Sequence, residues 1–151
     1  NRHMRKTVLG SNSASATSPT ANTLLAALPA DLRAVMKPAT KYSDNTGGGS
    51  NTASYVTSTT DYLFELAEFE YHGARTYANS AEQNYQQQYA YYQAGNSKVH
   101  YKHNATGTAA YVACRSVNAA NSNYFCLLIN NGSAGSTNAY YSWGVAPGFA
   151  A

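Results

Sequence analysis

A chain of 151 residues with a formal net charge of +3 is the length of one domain and carries too little charge to read as disordered, although Leu, Ile, Val and Phe supply only 21 residues. Fourteen tyrosines and many alanines must then build much of the core, and each buried tyrosine hydroxyl needs a partner. No run of about 18 apolar residues exists to span a membrane, no stretch resembles a signal peptide, and the scattered Lys and Arg lay down no nucleic-acid footprint, so neither a membrane nor a nucleic acid is an expected partner.

Arg2 to Leu9 reads as a short basic helix with Met4 and Val8 on one side, and His3-Met4 equally fits a cloning remnant. Residues 11–23, rich in Ser, Thr, Ala and Asn, read as a surface loop. Leu24, Leu25, Leu28, Leu32, Val35 and Met36 then recur at helical spacing; Pro29 opens a second helical segment and Pro38 ends it. Ser43 to Thr60 reads as a long loop. Tyr62 to Phe64 is a candidate strand, and Leu66 to Tyr71 a short helix or part of one continuous strand.

Ser80 and Gln83 form a capping-box pattern that predicts a helix over 81–94, with Tyr85, Tyr89 and Tyr92 on one face and Gly95 closing it. Lys98 to Lys102, Ala109 to Arg115, Tyr124 to Ile129 and Tyr140 to Val145 are short, aromatic or β-branched, and predict antiparallel strands. The expected class is α+β, a single domain with helices followed by a short-stranded antiparallel sheet.

Glu65, Glu68 and Glu70 beside His72 are the best candidates for acid–base chemistry, but alternation of charged and apolar residues on one amphipathic element accounts for them as a solvated face. His100 and His103 do not have a persuasive metal-ligand arrangement, and Cys114 and Cys126 read as free thiols rather than a zinc site. No catalytic residue, metal or cofactor is expected. The informative segment is 104–151, which lacks Lys, Glu, Gln, Met, Asp and His altogether and is rich in Asn, Ser, Gly and Tyr. Binding surfaces of the antibody type favour that alphabet, because tyrosine offers broad contact at low entropic cost and small polar residues offer adaptable hydrogen bonds.

The ordered motifs Leu24-Leu25-Ala26-Ala27-Leu28-Pro29-Ala30-Asp31-Leu32-Arg33, Leu63-Phe64-Glu65-Leu66-Ala67-Glu68-Phe69-Glu70, Tyr111 with Arg115-Ser116, Tyr124-Phe125-Cys126 and Gly144-Val145-Ala146-Pro147-Gly148-Phe149 resemble the C-type-lectin-fold domains of gut bacteria and their phages. Among these are the variable proteins of diversity-generating retroelements, whose rewritten adenine positions turn AAC codons into NNC codons. Those codons encode no Lys, Glu, Gln, Met or Trp, and the tail obeys this except at Trp143. Val112, Ala113, Cys114 and Val117 depart from the aromatic pairs and proline common around the Arg-Ser motif in that family.

The resemblance implies a C-type-lectin-like fold with 104–151 as a candidate variable region. It implies a frame of Phe125, Leu128, Gly132, Ala134, Ala139 and Gly144 to Phe149. It also implies a ligand-contacting set of Val112, Cys114, Asn118, Tyr124, Leu127, Ile129, Gly135, Ser136, Thr137, Tyr140, Tyr141 and Trp143. By strand alternation Leu127 and Ile129 share a side opposite Leu128; either they are core and Leu128 is exposed, or they are apolar anchors of a binding face.

The implied function is a ligand- or receptor-binding module, not an enzyme, displayed on a phage tail or a bacterial cell surface. It would engage a host-surface protein or glycan, as a homo-oligomer, a trimer by analogy. The alternatives are a structural or assembly subunit of the same fold and, third, a protein of the formylglycine-generating type, suggested by Glu68-Phe69-Glu70-Tyr71. A calcium site of the lectin kind on the final sheet is not expected, since the tail has no carboxylate side chain.

Overall fold

A computed structural model describes residues 4–151. Arg2 and His3, the start of the expected basic helix, lie outside the described residues; Met4–Leu9 forms one π-helical segment. Two short helices follow, α1 (Leu24–Ala27) and α2 (Ala30–Val35), separated by Pro29 as the leucine spacing and the proline require. The Thr23 side chain caps α1 by accepting from the Ala26 amide, and Asp31 lies in the first turn of α2, where the helix dipole favours a carboxylate.

Strands β1 (Ala39–Asp44) and β2 (Val56–Asp61) pair with each other. They occupy both ends of the stretch expected to be one long loop, leaving 45–55 as the connection. After β3 (Phe64–Glu65) comes α3 (Glu68–His72), which Gly73 ends in the left-handed conformation at φ 68°. The helix expected over 81–94 is instead a 3₁₀ turn, Ser80–Asn84, then α4 (Ala90–Gln93).

Tertiary bonds explain the break. Asn79, not Ser80, caps the turn by accepting from the Ala81 amide, the Gln86 side chain donates to the Tyr42 carbonyl, and the Tyr89 amide donates to the Glu70 carbonyl, so the middle of the segment is tied to other chain rather than to itself. The remaining elements are β4 (His100–Lys102), β5 (Ala105–Ala110), β6 (Val112–Val117), β7 (Tyr124–Leu128), β8 (Ala134–Asn138) and β9 (Pro147–Gly148).

The class is α+β, with small antiparallel sheets, but the order is not helices first: β1 to β3 precede α3. β4 pairs with β5, β3 with β9, and β6, β7 and β8 form a three-stranded sheet. The predicted strand over Ala109 to Arg115 divides at Tyr111. The one over Tyr140 to Val145 is absent, Tyr140 and Tyr141 forming a turn instead. β8, whose Ala-Gly-Ser-Thr-Asn sequence has little strand propensity, is set by its ladder with β7, Tyr124 facing Asn138 through to Leu128 facing Ala134.

The chain groups into two compact units. The first contains the residues through Lys41, Ser58–Phe64 and Pro147–Ala151. In it Leu9 and Leu25 are fully buried, Arg5 forks onto the Asp61 carboxylate at 2.7 and 2.8 Å, and the Lys37 amide donates to the Ala150 carbonyl. The second, Tyr42–Thr57 with Glu65–Ala146, contains the three-stranded sheet. Its core joins Tyr71 and Ala78 to Val112, Cys114, Cys126 and Leu128.

Every residue of β6 is buried, so Arg115 enters the interior with its charge. Its guanidinium forks onto the Glu70 carboxylate, with Nη2 to Oε1 at 2.8 Å, and also donates to the Glu65 carbonyl. Glu70 accepts from the Ala67 amide as well, fixing the start of α3. Glu68 accepts the amides of Thr76, Tyr77 and Ala78 at 2.7–3.1 Å. Glu82 accepts from the Ser116 hydroxyl at 2.7 Å and the Asp44 amide at 2.8 Å.

The expectation of a solvated face for Glu65, Glu68 and Glu70 is therefore overturned: they are 4 %, 2 % and 4 % exposed. Buried carboxylates persist only where donors replace water, and here Glu68 and Glu70 have them. Glu65 is the exception. One of its carboxylate oxygens has no hydrogen-bond partner, and burial pushes its pKa from the ordinary 4.5 up to about 7, against the pull of Arg115.

Two outcomes are expected. Replacing Arg115 with alanine strands the Glu70 carboxylate and lowers stability by about 3–5 kcal/mol, read as a fall in the urea midpoint; the Glu70→Ala change will be markedly non-additive with it. Below pH 4.5 both states of Glu65 are protonated; as pH rises toward 7 the unfolded chain has released a proton that the folded chain still holds, so stability falls across that window. Glu65→Gln should flatten this slope and, above pH 7, exceed the parent by up to about 3 kcal/mol; an unchanged slope in the variant would refute the assignment.

Candidate functional site

The sheet of the second unit has a covered side and an open one, and β7 sorts them by alternation. Cys126 and Leu128 enter the core, while Leu127 and Ile129 lie on the side that carries a cleft of about 520 Å³. Of the two readings of this pair, the structure adopts neither in full: Leu128 is buried, Leu127 is buried to 2 % yet lines the cleft, and Ile129 is half-buried at its wall.

Opposite Leu127 in the register stands Gly135 of β8. A Cβ there would lie 2.6 Å from Ile129 Cγ2 and 3.0 Å from Leu127 Cδ1. The missing side chain is what lets the two aliphatic groups sit over the strand. Ser136 and Thr137 of β8, with Tyr141 and Trp143 from the following segment, complete the expected residues in this cleft.

The segment carrying Trp143 is tacked beside β6. The Gly144 amide donates to the Tyr111 carbonyl at 2.8 Å and the Ala113 amide donates to the Gly144 carbonyl at 3.0 Å, giving a parallel bridge between Val112 and Gly144. A Cβ at Gly144 would stand 3.1 Å from the Tyr111 oxygen, so this approach favours glycine. Trp143 rests half-buried against Phe125, ring centroids 6.4 Å apart, and the next-door pair Tyr140 and Tyr141 meet at 4.6 Å, tilted by 48°, with 76 % and 54 % of their surfaces exposed.

Other expected contacts are placed differently. Val112 and Cys114 are core side chains, 2 % exposed, because β6 is covered on both faces; Cys114 lines neither this cleft nor the neighbouring one, to whose lining Val112 contributes. Asn118, 7 % exposed, is a brace: its amide donates to the Ser136 hydroxyl at 2.7 Å and its carbonyl accepts from the Ala120 amide. Tyr124 is half-buried at the far end of β7, outside the cleft, and Tyr140 stands beside the cleft rather than in it.

Tyr77, Tyr111, Ala134 and Ser142 line the cleft without having been expected. Tyr111 and Ser142 adjoin residues that were singled out. Tyr77 comes from outside the biased tail, brought in by the Ala119 amide donating to its carbonyl and by the bridge between Ala78 and Asn118; no local sequence signal marks it.

A second cleft, about 760 Å³, lies on the other side of the tacked segment, between it and the β4–β5 hairpin, and shares Tyr111, Ser142 and Trp143 with the first. Both volumes are in the range of small-ligand sites. Among the described residues no group of three His, Cys, Asp or Glu is arranged to hold a metal ion, and no helix is long and apolar enough to cross a membrane. Cys114 and Cys126 are both free and buried, and burial raises both thiols well above their ordinary pKa.

No family model, curated protein or solved structure gives a significant match to this chain.

Both cysteines should be silent toward dithionitrobenzoate in the native protein and react as two thiols in denaturant, since the thiolate that attacks the reagent is suppressed and enclosed. Rapid native labelling of either would show that the core opens at β6 and β7.

Proposed function

We propose that this chain is a ligand-recognition module of the C-type-lectin-like kind, one whose C-terminal third presents interchangeable side chains on a fixed frame. The observation that carries the reading is the convergence in one cleft of Leu127, Ile129, Gly135, Ser136, Thr137, Tyr141 and Trp143, seven of the positions that the resemblance implies as ligand-contacting. Their chemistry suits binding. Two aliphatic groups form an apolar floor, the Thr137 hydroxyl offers an adaptable hydrogen bond, and exposed aromatic rings supply contact area with few torsions to freeze.

The partner in this reading is a protein or glycan on a host surface, and the place of display a phage tail or a bacterial cell surface, with several copies presented together raising avidity. No chemical step is needed. Cys114 and Cys126 lie in the core and line none of the clefts, which gives the formylglycine-type alternative no support. The assembly-subunit alternative draws on the same exposed Tyr140 and Tyr141 pair, which could equally face a neighbouring subunit.

One variant separates the two readings. Tyr140→Ala/Tyr141→Ala removes two exposed rings and should change folding stability by no more than about 0.5 kcal/mol for each ring. Recognition predicts saturable attachment of the labelled chain to a panel of gut-bacterial cells that weakens about tenfold or more in the variant, as loss of a binding hot spot does. Self-association that disappears in the variant on sedimentation, with no cell attachment by the parent, would favour assembly.

A further inference from the structure

Charge is segregated in the second unit. Its five carboxylates, Asp44, Glu65, Glu68, Glu70 and Glu82, are all 4 % exposed or less, and the chain carries no Asp or Glu after Glu82. Arg75 and Lys102 are exposed and Lys98 half-exposed. The formal charge of +3 therefore understates what a ligand meets: on this unit the acids are inside with Arg115 alone among the bases, and the other bases face outward.

The two clefts flank a shared wall of Tyr111, Ser142 and Trp143, and the groove they make across it has unlike ends. At one end are the Leu127 and Ile129 floor, the Thr137 and Ser142 side chains and Tyr141; at the other are Lys102 and His103, exposed on and just after β4, with Tyr101 beside them. No acid lines either end.

We propose that this groove binds an acidic polysaccharide, seating a sugar carboxylate at Lys102 and laying pyranose faces on Trp143 and Tyr141. The inference rests on the recognition reading above and names its ligand class. Ring faces and small hydroxyls suit a ligand that is mostly hydroxylated ring, and a compact ammonium at one end suits an isolated carboxylate. A single lysine and no arginine along the groove is too sparse for a nucleic acid, which brings a phosphate at every nucleotide.

Trp143 is the chain's one tryptophan, and it stands in the wall common to both ends, so its emission reports occupancy directly. The test titrates the intact chain with an oligogalacturonate and with an oligosialate, two sources of the same carboxylate-bearing pyranose, and with the neutral methyl ester of the first. A saturable change in Trp143 emission with either acid supports the proposal, provided that the ester binds about tenfold more weakly or worse. Lys102→Gln should weaken the acid about tenfold and Lys102→Arg should retain most of it, both at an unchanged urea midpoint, since Lys102 is exposed.

Absence of a saturable response, equal binding of ester and acid, or indifference to Lys102→Gln overturns it. So does binding of an oligoglutamate or an oligothymidylate as tightly as the sugars, which would make the occupant a peptide or a nucleic acid. If the chain attaches to cells, loses attachment in Tyr140→Ala/Tyr141→Ala and is not displaced by either acidic sugar, this proposal fails while the recognition reading stands; if it attaches to no cell and binds no sugar, both fail.

Discussion

The architecture of the second unit depends on one ion pair placed where water does not reach. Arg115 sits on a strand with no exposed residue, and Glu70 meets it from the first turn of α3 while also receiving the Ala67 amide. An arginine fork in such a place is tolerable only with a carboxylate held in its plane, and a carboxylate only with the guanidinium and further donors around it. The pair thus dictates where α3 begins and how it meets β6. Glu68 gathers the Thr76 to Ala78 backbone and Glu82 gathers Ser116 and Asp44, which extends the same solution to loops with little apolar content. A chain poor in large aliphatic residues replaces part of an oily core with hydrogen-bonded polar groups, Glu65 being the exception among the buried carboxylates.

That substitution explains what could and could not be read from residue order. Local signals held where they were local: Pro29 between two helical turns, the left-handed Gly95 after α4, and β7 with its apolar and β-compatible residues. They failed where a distant partner decided. Gln86 prefers the Tyr42 carbonyl to helical continuation, and Asn79 takes the cap that Ser80 was expected to provide. β8 has no propensity of its own and exists because β7 offers a ladder. Glu65, Glu68 and Glu70 look like a surface in sequence because charge alternates with apolar residues; that the charges face inward depends on Arg115 and on the 76–78 amides, far along the chain.

The candidate site was legible to the extent that it rests on alternation and on the biased alphabet of the last third. Leu127, Ile129, Tyr141 and Trp143 meet as expected in one cleft, with Gly135 leaving them room. Val112 and Cys114 were not placeable, because β6 is enclosed on both faces and alternation then carries no information about which side is dry. Tyr77 was invisible for the opposite reason: it reaches the cleft through backbone pairing, which leaves no mark on side-chain pattern.

The bond from Asn118 to Ser136 and the ladder that fixes β8 use one hydroxyl and the main chain, leaving most of the groove's side chains out of the framework. The fold and the exposed surface of the cleft thereby draw largely on separate sets of atoms. Exchanges at Thr137 or Tyr141 therefore reshape the cleft while leaving in place the bonds that hold the domain together, so its surface chemistry can vary far more freely than its fold.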